Sequence, residues 1–335
     1  MTIVGAIGPG SDATLGMVGC HPLMEALREE IRRAARLQAA AVVWGPTGVG
    51  KELVARALHQ VSAERGGPFV PLNVAELATS VIENELFGSV PGGFTDATDR
   101  AGLIEAAAGG VLFLDEGGDL DRGVQAKLLR VLDDGEVRRI GGTAAVRVRF
   151  RLVLAVQEPP ALLLASRRWR EDFFYRTAVV PLRVPPLAER RSDIPVLTQA
   201  FVGRWYAPGI EPAALECLGR WSWPGNVREL HQTLLRAAFF ADAGPIAAPH
   251  VQRALALDAA CGAALAPALW ASPAREGEAA AARILAACLE AGWDIAEAAQ
   301  MLQMSRATLY RRTRALGLLP RRERRRQALT EGPAT

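Results

Sequence analysis

Apolar positions along this chain change their period several times, and each change marks a boundary. Glu25–Leu37 carries its apolar residues at helical spacing, Ala40–Trp44 is a short unbroken apolar run, and Lys51–His59 returns to the helical period. Phe69–Leu72 and Val111–Leu114 read as buried strands, and Arg147–Val156 reads as a further strand. This alternation predicts a parallel sheet with helices on its faces, an α/β arrangement. Beyond about Pro195 the strand-like runs stop. Ile194–Tyr206, Pro212–Arg220 and Val227–Ala241 keep the helical period and predict a helical lid. The expected organisation is a loose Gly-rich arm over 1–16, an α/β body over 17–193 and the lid over 194–250. An Ala-, Pro- and Gly-rich linker over 251–279, a last folded unit over 280–319 and a basic tail over 320–335 follow.

Charge separates these parts. The net charge is only +3, yet residues 281–335 hold ten Arg against five Asp or Glu, which leaves the body slightly acidic. A basic end on a soluble core is suited to a polyanion. With 50% hydrophobic residues in 335, there is enough apolar surface for a sizeable core. The apolar runs are too short to span a bilayer, and Met1–Ser11 has no basic segment leading into an apolar one, so neither a signal peptide nor a membrane partner is expected. Cys20, Cys217, Cys261 and Cys288 lie far apart and without metal-ligand spacing, as thiols of a reducing compartment do. The expected location is the cytoplasm.

The strongest local chemistry follows the first strand. Gly45, Pro46, Thr47, Gly48, Val49, Gly50, Lys51 and Glu52 form a Gly-x-x-x-x-Gly-Lys loop between a strand and a helix. Its glycines let backbone N–H groups turn toward a phosphate at the helix N-terminus, and Lys51 can reach the β- and γ-phosphates. Glu52 stands where the general motif has a Mg²⁺-holding Ser or Thr. Farther on, Gly109–Leu114 is an apolar strand ending in Asp115 and Glu116. Two carboxylates at a sheet edge beside such a loop suit Mg²⁺ and water chemistry: Asp115 for the metal's water shell, Glu116 to orient and deprotonate the attacking water. ATP and Mg²⁺ are the implied ligands.

Four longer segments carry a resemblance. They are Glu85-Leu86-Phe87-Gly88, Gln125-Ala126-Lys127-Leu128-Leu129-Arg130-Val131-Leu132, Pro185-Pro186-Leu187 and Trp223-Pro224-Gly225-Asn226-Val227-Arg228-Glu229-Leu230. With the Lys51-Glu52 ending of the loop, they resemble the bacterial enhancer-binding proteins, the sigma-54-dependent activators of the AAA+ class, from about Val18 to Leu319. The resemblance implies an AAA+ P-loop sheet with a helical lid. It makes Asn73 the switch residue that holds the catalytic glutamate, and Arg170 and Arg176 arginine fingers supplied to a neighbouring subunit of a hexamer. It makes Arg228 a lid-borne sensor of the γ-phosphate, a role that agrees with a capping box of Asn226 and Glu229 placing Arg228 in a first helical turn. Gly92-Gly93-Phe94-Thr95-Asp96-Ala97 aligns with the family's Gly-Ala-Phe-Thr-Gly-Ala loop, so Phe94 and Thr95 are the implied contacts to sigma-54. The chain departs from the family at Gly93 and Asp96, at Ala188 for the usual Arg, and at Val156-Gln157 for the usual Thr-Asn. Gln157 still offers an amide to a phosphate or water. Slow or altered ATP hydrolysis is the expectation from that pair.

At the basic end Asp294 with Glu297 predicts a capped helix running to about Leu302, and Ser305 caps a second one that stops near Gly317. This is helix-turn-helix spacing. Leu309 and Leu316 share the buried face. Arg306, Ala307 and Thr308 lie in the first turn of the second helix, where base edges are read, and Arg311 and Arg312 suit phosphates. The segment resembles the all-α Fis-type domain of the same activators. Together the parts imply an ATPase that binds enhancer DNA, assembles from dimers to a homo- or hetero-hexamer and remodels sigma-54 RNA polymerase. With only about 17 residues ahead of the body, control is expected from a separate protein acting in trans. The alternative is a DNA-binding regulator that keeps the fold without coupling to sigma-54.

Overall fold

The computed structural model describes residues 15–91, 99–205 and 208–257, with residues 284, 287, 291, 295–302, 304–306, 308, 309 and 313. The chain divides into two compact units, 1–259 and 260–335.

The first unit opens with α1 (Pro22–Ala35), β1 (Ala41–Trp44), α2 (Lys51–Val61), β2 (Phe69–Asn73) and α3 (Thr79–Phe87). Two short strands, β3 (Gly88–Ser89) and β4 (Arg100–Ala101), then α4 (Leu103–Ala106), β5 (Val111–Asp115) and α5 (Arg122–Asp134) follow. Next come β6 (Glu136–Arg138), β7 (Ala145–Arg147), β8 (Arg151–Val156), α6 (Pro160–Ala165), α7 (Glu171–Thr177) and β9 (Val180–Arg183). The lid holds α8 (Asp193–Trp205), α9 (Pro212–Arg220) and α10 (Asn226–Ala241).

Five strands form one sheet in the order β2-β5-β8-β1-β9, each pair parallel. Period-two alternation divides the core between its faces. Leu112 and Leu114 of β5 join Leu152, Leu154 and Val156 of β8 against α3–α7, while Val111, Phe113, Val153 and Ala155 face α1 and α2. Because β1 and β5 both run parallel to the β8 between them, the phosphate loop after β1 and the acids after β5 leave the sheet at the same edge, where parallel α/β sheets bind ligands.

Three sequence expectations change. Arg147–Val156 holds the end of one strand and the whole of another, since β7, exposed at all three positions, pairs with β6 in a hairpin and only β8, buried at all six positions, enters the sheet. The lid runs past 250, because residues 248–257 are helical and bury Val251, Ala254 and Leu255 in its core. Leu15, assigned to the loose arm, is 7% exposed and packs with Met17 and Met24.

Trp223 closes the lid core. It is 1% exposed, its Nε1 donates to Leu218 O at 2.9 Å, and it adopts φ 55° in the turn before α10. Trp223→Ala is expected to lower stability by about 3–5 kcal/mol through the cavity it leaves, read as a fall in the denaturant midpoint. An unchanged midpoint would show that the lid core repacks around the gap.

Candidate functional site

The phosphate loop is built for close approach. Gly48 has φ +79° and lies so near the lid that an added Cβ would collide with the carbonyl oxygen of Gly225. Gly50, at φ +102°, turns the chain into α2, whose first N–H groups have no side-chain cap. They and the positive end of the helix therefore face the cleft. Lys51 Nζ donates to the carbonyls of Gly45 at 3.0 Å and Pro46 at 3.4 Å. Burial lowers the Lys51 pKa, opposed by the nearby Glu116 and Asp115 and aided by Arg228. Glu52 turns along α2 instead, accepting from Nε and Nη2 of Arg56 at 2.9 and 2.8 Å. Here the residue in the Ser/Thr position is a helix ion pair, and Arg56 in turn sits over the Phe69 ring.

A cleft of about 320 Å³ gathers Thr47 to Glu52, Asp115, Glu116, Val227 and Arg228. Leu15, Met17, Val18, Leu197 and Phe201 make its other wall apolar. A polar end rich in donors and an apolar end fit a nucleotide's phosphates and base. Asp115 accepts from the Glu116 N–H at 3.0 Å, and Glu116 takes φ 54°, an uncommon backbone conformation for a residue with a side chain. The structure does not bring Asn73 to Glu116. Asn73 Oδ1 accepts from the Ala75 N–H at 3.1 Å and its Nδ2 donates to Glu76 Oε1 at 2.7 Å, which makes it the cap of its own turn. Glu116 is held by Gln157, whose Nε2 lies 3.2 and 3.1 Å from its two oxygens.

The lid meets the loop through contacts that sequence reasoning missed, one of them made by Arg190, which it did not single out. Asn226 is not the oxygen of a capping box. It is 2% exposed, its Oδ1 accepts from the Leu187 N–H at 2.8 Å, and its Nδ2 donates to Thr47 O at 3.0 Å. Glu229 keeps its half of the motif, accepting from the Gly225 N–H at 2.7 Å and from Trp221 Nε1 at 2.8 Å. The Arg228 N–H donates to Gly48 O at 3.2 Å, and Arg190, almost fully buried, donates to Val49 O. These bonds place the Arg228 side chain in the cleft wall.

Arg170 and Arg176 lie outside the cleft of their own chain. Arg170 forms a two-pronged pair with Asp172, which raises the guanidinium's pKa and lowers the carboxyl's, and Arg176 pairs with Asp133 and Leu132 O. Phe94 and Thr95 fall outside the described residues. The strands flanking that loop, β3 and β4, are described, and their base is clamped: Arg139 donates to Glu105 through Nε and Nη2 and to Asp99 through Nη1. The Arg139 bond lowers the Glu105 pKa below its ordinary 4.5. A depressed carboxyl stabilises the fold above its unfolded value, and that contribution is lost as pH falls through the folded one. Thermal midpoints of wild type and Glu105→Gln should therefore differ at pH 7 and converge below pH 4.5. Midpoints that stay equally far apart would show that ionisation of Glu105 is immaterial.

In the second unit the helix Ile295–Met301 packs Ala298 and Ala299 with Ile284, Ala287, Ala291 and Leu309. Ser305 Oγ accepts from the Thr308 N–H at 3.2 Å, an N-cap bond for the helical turn that follows, with Arg306 exposed. Asp294, Ala307, Arg311, Arg312 and Leu316 lie outside the described residues.

A five-stranded parallel sheet that delivers a phosphate loop and an Asp-Glu pair beneath a helical lid defines a P-loop nucleotide-binding domain of the AAA+ class. Residues 17–183 match the Sigma-54 interaction domain, 188–265 the AAA+ ATPase lid domain and 280–316 the Bacterial regulatory protein, Fis family. The chain is 42% identical over 234 residues to the DNA-binding transcriptional regulator NtrC of Azospirillum brasilense, covering 68% of this chain and 49% of that protein. It is 38% identical over 308 residues to the Nif-specific regulatory protein of Azotobacter vinelandii, covering 90% and 59%. The structure of NtrX from Brucella abortus in complex with ATP matches with a TM-score of 0.65 at 33% identity, over 91% of this chain and 70% of NtrX. The chain belongs to this family of sigma-54 activators, and it spans about half the length of the curated relatives it matches. Among the described residues no helix is long and apolar enough to cross a membrane.

Proposed function

We propose that this chain hydrolyses ATP to remodel sigma-54 RNA polymerase from a DNA-bound position. The observation that carries this reading is the convergence of Lys51, Asp115, Glu116 and Arg228 on one cleft, in a chain that also matches a Fis-family DNA-binding segment. Lys51 and the first N–H groups of α2 hold the phosphates, and the apolar wall takes the base. Asp115 would hold Mg²⁺, which when bound would supply positive charge against that of the phosphates. Glu116 orients a water and accepts its proton. Arg228 draws the lid onto the occupied cleft. Arg170 and Arg176 serve the site of an adjacent subunit, which makes hydrolysis depend on a ring. Phe94 and Thr95 engage sigma-54, and Arg306, Ala307 and Thr308 read DNA bases while Arg311 and Arg312 bind phosphates. The body over 17–193, the lid and the segment 280–319 divide these tasks.

The test measures ATP turnover and open-complex formation on a sigma-54 promoter. Wild type is expected to show both, Phe94→Ala to hydrolyse without opening, and Glu116→Ala to do neither. Hydrolysis without opening in the wild type would point to a different protein target. DNA binding with neither activity would make the chain a regulator uncoupled from the polymerase.

A further inference from the structure

The carboxylate of Glu116 is gripped from the side of the sheet opposite Asn73. Strand β5 lies between β2 and β8, so a side chain beyond the end of either neighbour can reach the residue after Asp115. On the β2 side Asn73 stands level with Asp115, yet both ends of its amide are committed within its own turn, to the Ala75 N–H and to Glu76. On the β8 side Leu154 stands level with Leu114, which brings Val156 level with Glu116 and Gln157 one residue beyond. An Asn at 157 would present its amide one methylene short. Gln spans the gap and places Nε2 within 3.2 Å of both carboxylate oxygens. The Glu116 backbone is itself set, by its φ of 54° and by its N–H bond to Asp115. Orientation of the carboxylate is left to the side chain, and Gln157 decides it.

We propose that Gln157 is a positioning residue that restrains Glu116, holding its carboxylate in an orientation it must leave to act on water, and that it does so in the place where Asn73 would act. The proposal rests on reading Glu116 as the base for ATP hydrolysis. An amide shared between both oxygens takes one of the two lone-pair sites on each and fixes the plane of the carboxylate, so the restraint must loosen before the carboxylate can turn toward an attacking water at each turnover. It bears on kcat and leaves nucleotide affinity to Lys51 and the loop.

Two measurements test it. The first is a double-mutant cycle by thermal unfolding of the full chain without nucleotide, pairing Glu116→Ala with Gln157→Ala and, separately, with Asn73→Ala. The Gln157 cycle is expected to be non-additive and the Asn73 cycle additive; the reverse pattern, or additivity in both, overturns the proposal. The second is steady-state ATP hydrolysis. Gln157→Ala and the shorter Gln157→Asn are each expected to raise kcat roughly three- to tenfold, with KM for ATP unchanged. A fall in kcat or a rise in KM in either variant overturns the proposal and assigns the amide to the nucleotide. Should the wild type fail to hydrolyse ATP, the ATPase reading fails, while the unfolding cycle still decides the grip on Glu116.

Discussion

Glu116→Gln is expected to bind ATP as wild type does and to lose turnover by about 10²–10⁴-fold, the range for removing a positioned general base. The substitution keeps the shape of the side chain and its place after β5, where the Asp115 carboxylate accepts the backbone N–H. It removes only the group that can take a proton from water. Lys51, the α2 N-terminus and the apolar wall of the cleft are untouched, so a fluorescent ATP analogue should titrate with the same midpoint while phosphate release stops. Equal turnover in the variant would show that another group activates the water and would remove the chemical role assigned to this strand end.

Arg170→Ala and Arg176→Ala are each expected to cost about 10³–10⁵ in turnover if they act as fingers. The decisive result is complementation. Both guanidiniums lie outside their own cleft, paired on the surface with Asp172 and Asp133. An exposed pair of this kind is weakly held, so it can be exchanged for phosphate oxygens of an adjoining subunit. Neither Lys51→Ala nor Arg170→Ala chains alone should hydrolyse ATP. Mixed in equal amounts they should recover up to about a quarter of wild-type turnover, since an intact loop meets an intact finger at one boundary in four of a randomly filled ring. No recovery in rings shown to be mixed would place the arginines in a purely structural role.

The parts that were legible in the sequence are those whose chemistry is contiguous. Gly45 to Lys51 is a strand-to-helix turn whose geometry depends on glycine at particular positions, and α2 begins at Lys51 as its pattern predicts. The apolar run ending in Asp115 and Glu116 is likewise a buried strand with its acids at the edge. Pro212–Arg220 is a helix over the whole predicted span because its proline and its apolar spacing act within one element. The strand β9 is not legible in the sequence, since Val180–Arg183 is only four residues long and carries a proline. Arg147–Val156 reads as one strand because no residue within it marks the break at 148–150, which follows from the pairing of β7 with β6.

Residue types alone established the phosphate loop, the acid pair, the apolar faces of the sheet and the helical character of the lid, because each depends on neighbours within a few positions. Which amide holds Glu116 was decided only by the fold: Gln157 is 41 residues away in the chain and reaches it because β8 lies beside β5. Asn226 likewise binds Thr47 across 179 residues, a contact fixed by the lid's seating on the loop. A side chain's partner is set by distance in space, and the sheet order that creates that distance arises from packing summed over the whole core.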